Sequence, residues 1–367
     1  MDLPILTSPT TNKPWLNIYA NSVTANTLTA VTSLVVPSLT VSGNMEVKRD
    51  LLVDGYSAST QMNGGFLAMS SNTQTVAVPA ATGGSQLTFN TTLNKLTCSG
   101  IAGAATCFDT TNGSTLAALA TPVASLVIEY SPDLNIYTAI DQGGTAVYTS
   151  PNATAGSFVL QAPAPSAFAA NQVTWISYFG RFYSCSADAA NRVYQSTDGI
   201  TWSKQASTRD IFGVAYSPLL QRLVAVGAGG PQYTDDGKTW IVGTTAQAMS
   251  AVCWSDYWKC WVASPRNAPF TSVYRSVDGI NWTSSVGFPG FAGNLRSITW
   301  IQDYMLFVVA GDNDVLWISQ NGLTFRQVQV VTAPMASYSQ IYIPKWSLWF
   351  SSGIGGFVRV SPKRLIA

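Results

Sequence analysis

Ser196-Thr-Asp-Gly-Ile-Thr-Trp202 returns as Thr234-Asp-Asp-Gly-Lys-Thr-Trp240 and as Ser276-Val-Asp-Gly-Ile-Asn-Trp282, with a fourth copy in Ser319-Gln-Asn-Gly-Leu-Thr-Phe325. Asp198, Asp236, Asp278 and Asn321 recur at a near-constant interval, which is the mark of a repeat architecture. The letters have a physical reason. A carboxylate or amide oxygen accepts backbone N–H groups in a tight turn, and Gly199, Gly237, Gly279 and Gly322 supply the positive φ that follows. Trp202, Trp240, Trp282 and Phe325 then fold back as apolar plugs between neighbouring sheets.

A second series runs alongside. Each repeat opens with an apolar strand, a short turn and another strand, as in Val173-Thr-Trp175 into Phe182-Tyr183. Aligned aromatics fall at Tyr130, Trp175, Tyr216, Trp254, Trp300 and Tyr342. Six openings predict a six-bladed, all-β propeller with four strands per blade. The last repeat, from Ile341-Tyr-Ile343 to Phe357-Val-Arg-Val360, stops without a corner. An orphan corner, Thr110-Thr-Asn112-Gly113, lies upstream, so residues 107–120 are expected to close the last blade.

These corners resemble the Asp-box of sialidase-like propellers, where the box joins the third and fourth strands of a blade. The resemblance implies that Asp198, Asp236, Asp278, Asn112 and Asn321 are structural turns on the face opposite the ligand site. Sialidase activity needs three converging arginines, a Tyr nucleophile with a Glu partner, and an acidic Asp. Here the head has one glutamate, Glu129, beside Tyr130, and the Arg-Ile-Pro signature is absent. Arg209, Arg266 and Arg296 are the arginines that could approach a central cavity. The expectation is therefore a non-enzymatic head, with a sialidase-like glycoside hydrolase as the alternative.

Ahead of the repeats the grammar changes. Eleven of the twelve tryptophans follow residue 170, and only Lys95 and Asp109 carry charge between Tyr56 and Ile128. Ser38-Leu-Thr-Val-Ser-Gly43 and Asp50-Leu-Leu-Val-Asp-Gly55 read as strand-turn units, and Leu87 to Gly100 as a hairpin about Asn94. Such short strands cannot bury an apolar face within one chain. They resemble the stalks of fibre and spike proteins of tailed phages and large DNA viruses, in which three chains wind together. Residues 20–106 are thus expected to form a β-rich trimeric stalk, residues 107–367 the propeller, and residues 1–19 a Pro-rich arm. Leu3, Ile5, Leu6 and Trp15 would anchor that arm to other virion proteins.

Composition narrows the chemistry. Charged residues make up 10% of the chain, the net charge is +1 and histidine is absent. That removes the commonest general base and metal ligand, and any electrostatic case for nucleic acid. No cofactor or metal site is expected. The five cysteines lack zinc-type spacing, and a Cys98–Cys107 pair stays open. No secretory leader and no membrane span is visible.

On the face opposite the corners, the longest loops carry Phe168, Arg266, Phe270, Phe288 and Phe291, which suit a host surface glycan or protein. The full expectation is a virion-surface fibre or spike protein, assembled in the host cell, whose propeller binds a receptor. A purely architectural capsid component is the remaining alternative.

Overall fold

In the computed structural model, the described residues are 23–25, 39–41, 74–77, 86–99, 107–111, 117–119, 122, 126–141, 146–162, 170–186, 192–206, 209–266, 272–285, 294–312, 316–328, 336–346, 348–354 and 357–360. They contain strands and three short 3-10 turns, and no helix among them is long and apolar enough to cross a membrane.

Seven four-stranded antiparallel sheets are present, one more than the six expected. In chain order, blade I comprises Gln86–Asn90, Lys95–Ser99, Cys107–Thr110 and Ala117–Leu119. Blade II comprises Leu126–Ser131, Ile136–Asp141, Val147–Ser150 and Val159–Ala162. Blade III comprises Ala170–Ile176, Arg181–Ser186, Arg192–Ser196 and Ser203–Ala206. Blade IV comprises Gly213–Ser217, Arg222–Val226, Gln232–Thr234 and Ile241–Val242. Blade V comprises Met249–Ser255, Cys260–Pro265, Tyr274–Ser276 and Thr283–Ser284. Blade VI comprises Leu295–Ile301, Leu306–Gly311, Leu316–Ser319 and Arg326–Val328. Blade VII takes Ala336–Ile343, Leu348–Ile354 and Phe357–Val360 from the end of the chain and Gln74–Ala77 from its first half.

The first strand of every blade lies innermost, and each touches the first strand of the next, from blade I round to blade VII and back to blade I. The ring closes.

Two expectations are corrected here. The hairpin about Asn94 exists, with Asn94 at φ 53°, but it belongs to blade I and not to a stalk. Blade I was hidden because its corner, Asn112-Gly113, is followed by Ser-Thr-Leu and lacks the indole that marks the others. Ala117–Leu119 is therefore the outer strand of blade I, and Gln74–Ala77 is the strand that closes blade VII. Closure through a strand from far earlier in the chain leaves blade VII with no missing edge.

Second strands are sandwiched between neighbouring sheets, so they read as unbroken apolar runs. Leu306–Gly311 is buried at all six positions, and Cys260–Pro265 likewise. Trp261, Trp317, Trp349, Tyr183 and Phe307 are the large side chains sealed between blades. A separate unit, Met1–Leu67 with Arg364–Ala367, contains Val23–Ala25 paired in parallel with Leu39–Val41, sixteen residues apart in register (Val23 with Leu39).

Strand direction defines two faces. First-to-second and third-to-fourth connections share one, called here the turn face. Second-to-third and blade-to-blade connections share the other, the loop face.

Candidate functional site

The Asp–Gly corners lie on the turn face between third and fourth strands, and their carboxylates are fully occupied. Asp198 accepts the N–H groups of Ile200 (2.8 Å) and Thr201 (2.7 Å) and the Ser196 hydroxyl (2.8 Å). Asp278 repeats this with Ile280 and Asn281 (both 2.8 Å) and Ser276 (2.9 Å). Burial works against ionisation at Asp278, but the N–H groups of Asn281 and Ile280 outweigh it and hold the carboxyl at about 2. At Asp236 the N–H groups of Thr239 and Lys238 push it further down.

Asn321, a neutral amide, makes the same bonds to Leu323 (2.8 Å) and Thr324 (3.0 Å). The turn thus needs an acceptor oxygen and not a charge. Such carboxylates are poor proton donors near neutrality.

Each plug packs on the preceding blade. Trp202 is buried with Val127, Ile140 and Val147 of blade II, Trp240 meets Tyr183 of blade III, Trp282 packs in the cluster of Val224 from blade IV, and Phe325 packs in that of Val262 from blade V.

A further corner, missed in the sequence, is Ser150-Pro-Asn152-Ala153. Ala153 N–H donates to Ser150 Oγ (2.8 Å), as Gly199 does to Ser196, and Thr154 N–H reaches Asn152 Oδ1 (3.2 Å). Ala153 takes the glycine conformation at φ 48°. Ala in place of Gly, and Phe158 set further along, disguised it. Asn112 falls outside the described residues.

In the central channel, Glu129 faces Gln86 and Thr88 across from blade I. Gln86 Nε2 donates to Glu129 Oε2 (2.9 Å) and to the Val173 carbonyl (2.6 Å), while its Oε1 accepts the Val173 N–H (3.0 Å). Thr88 Oγ1 stands 2.6 Å from the Ile128 carbonyl and 2.9 Å from Glu129 Oε2. One hydroxyl hydrogen cannot serve both. With that hydrogen on Ile128, the second contact requires a proton on Glu129. Burial pushes Glu129 up to about 8, against the bonds from Thr88, Gln86 and the Trp175 backbone. It is a neutral acid near pH 7, with no second carboxylate acting on it among the described residues.

On the loop face, Arg266 lays its guanidinium on the Phe212 ring, 3.6 Å from the centroid. Arg266 is exposed, and among the described residues its guanidinium has no hydrogen-bond partner. Its desolvation lowers its pKa, Asp210 opposes that and Arg296 adds to it, so both groups lie nearby. Arg296 is paired with Asp312, which Asn294 also holds. Arg209 donates to the Thr245 carbonyl (3.1 Å) and rests on Gly229 and Gly230. Two of the three arginines thus spend donors on the protein. Phe212 was not singled out in the sequence, because its partner lies 54 residues on (266 against 212). Phe168, Phe270, Phe288, Phe291 and the anchors Leu3, Ile5, Leu6 and Trp15 fall outside the described residues.

Comparison with known proteins supports the fold. Residues 109–253 match the DUF6242 beta propeller domain. No curated protein matches the sequence. YCF48 bound to D1 peptide superposes with TM-score 0.62 at 15% identity, over 81% of this chain and 97% of that one. Virginiamycin B lyase from Staphylococcus aureus gives TM-score 0.62 at 10% identity, over 79% and 99%. YCF48 from Cyanidioschyzon merolae gives 0.58 at 15%, over 79% and 98%. At these identities the likeness is one of fold: the chain carries a β-propeller.

Proposed function

We propose that this chain is a non-enzymatic attachment protein, a virion-surface fibre or spike whose propeller binds a host glycan or receptor through its loop face. The observation that carries this reading is Arg266 spread on Phe212 with its donor edge unspent among the described residues. A stacked, fixed guanidinium is a ready contact for an acceptor-rich ligand. The corner carboxylates, by contrast, are consumed in turns, in keeping with an Asp-box kinship. The parallel pairing of Val23–Ala25 with Leu39–Val41 supports a wound, β-rich segment ahead of the head, assembling as a homotrimer. That YCF48 is seen with a peptide supports the use of this fold as a docking surface.

A hydrolase is the second reading, favoured by one observation: the neutral acid at Glu129. Glycosidases flank the scissile bond with two carboxyl groups, and Glu129 stands without a second.

The test is a glycan array, with a fluorogenic glycoside panel in parallel, on the full-length chain and its Arg266→Ala form. Binding by the parent that falls at least ten-fold in the variant, at unchanged melting temperature, is expected. Equal binding by both, or turnover lost in Glu129→Gln, overturns the reading.

A further inference from the structure

The turns joining first and second strands share one form around the ring. Asn90, Ser131, Ser217 and Ser255 each accept the N–H of the residue three places on: Leu93, Leu134, Leu220 and Trp258. The next residue is left-handed in each, at Asn94, Asn135, Gln221 and Lys259. This geometry requires the capping oxygen and the left-handed residue. It places no demand on the side chain between them. Yet that position is Leu, Leu, Leu and Trp, exposed by 42%, 39%, 41% and 37%.

The neighbouring tips add Tyr178, Leu219 and Tyr257, exposed by 51%, 57% and 53%. Blades I to V thus carry an unbroken crescent of exposed apolar side chains on the turn face. It stops at blades VI and VII, whose tips are Asp303 and Lys345 and whose Trp346 is buried. Exposed apolar groups recurring at equivalent positions contribute nothing to the single chain and mark a contact surface. Leucine-rich, with aromatics, the crescent fits a protein partner.

We infer that this crescent is where copies of the chain meet one another. The inference rests on the homo-oligomer of the proposed function. Gln74 pairs with Val360, and both lie at the turn-face end of blade VII, in the gap of the crescent. Residues 1–73 therefore join the propeller on this face. When those segments hold copies together, the tether raises the effective concentration of turn faces, and a patch too weak for free association becomes sufficient. Closed homo-oligomers need self-complementary surfaces. The crescent meets that need, with Asp133 exposed in blade II and Lys259 in blade V. The loop face, with Arg266, stays clear for ligand.

The experiment compares the full-length chain with a Leu134→Ser, Leu219→Ser, Tyr257→Ser variant by sedimentation over a dilution series. All three side chains are exposed, so the melting temperature of the variant's monomer should hold. The oligomer is expected to dissociate at a concentration at least ten-fold higher in the variant. Hydroxyl-radical footprinting gives a second readout when assembly is too tight to dilute. In the assembled parent, Tyr178 and Tyr257 should label nearly as slowly as the buried Tyr183. Assembly unchanged in the variant, with both tyrosines labelling ten-fold faster than Tyr183, overturns the crescent and leaves the oligomer standing. A parent chain monomeric at every concentration overturns both.

Discussion

The corners of blades V and II perform the same turn with different residues. In blade V, Ser276, Asp278 and Gly279 make it; in blade II, Ser150, Asn152 and Ala153 do. The serine hydroxyl accepts the same N–H at 2.8 Å in each. What differs is the room beside the third residue. A Cβ on Gly279 would stand 2.6 Å from Val224 Cγ2 of the preceding blade. Ala153 has that room, with the Lys95 ammonium reaching its carbonyl at 2.6 Å from blade I. The hydrogen bonds define the corner, and the fit to the neighbouring blade decides whether its glycine is obligatory.

The largest effect should come from removing that distinction. Gly279→Ala forces a Cβ into Val224 at φ +73°, and a loss of about 3 kcal/mol or more is expected from overpacking and backbone strain together. Urea denaturation measures it; a loss below about 1 kcal/mol would show that the blade interface yields.

A pH series sharpens the Asp-against-Asn half of the comparison. The folded Asp278 carboxyl, at about 2, lies below its ordinary 3.8, so the unfolded chain binds more protons between these values. Its contribution is present above about pH 4 and is lost as pH falls towards 2. Asp278→Asn should keep the turn, as Asn321 does, and flatten this acid-side loss. Thermal melts from pH 6 to 2 read it, and identical curves for parent and variant would contradict the assignment.

The smallest effect belongs to Ala153→Gly. Relief of a left-handed alanine is worth about 1 kcal/mol, offset by a lost buried methyl and a looser unfolded chain. The change in stability should stay within about 1 kcal/mol. A larger loss in urea denaturation would mean that the Ala153 methyl holds the interface of blades I and II.

The same contrast explains which parts of the molecule were legible. Four corners could be read because Ser, Asp and Gly act within four residues, and the trailing indole is local too. Blade II's corner escaped because alanine replaced glycine. Blade I escaped because Asn112-Gly113 is not followed by an aromatic plug. At the candidate site, Arg266 was recognised by its loop and Glu129 by its rarity. Neither Phe212 beneath Arg266 nor Thr88 and Gln86 around Glu129 could be named, since those partners come from other blades.

What the sequence determined alone is the repeating unit: four short strands, a corner whose hydrogen bonds close within a few residues, and an apolar plug. Such interactions are written in consecutive letters. The number of blades, the choice of Gln74–Ala77 as the closing strand, the proton on Glu129 and the apolar crescent on the turn face were decided by tertiary structure. Each depends on surfaces brought together from distant parts of the chain, where burial and packing, not adjacency, set the outcome.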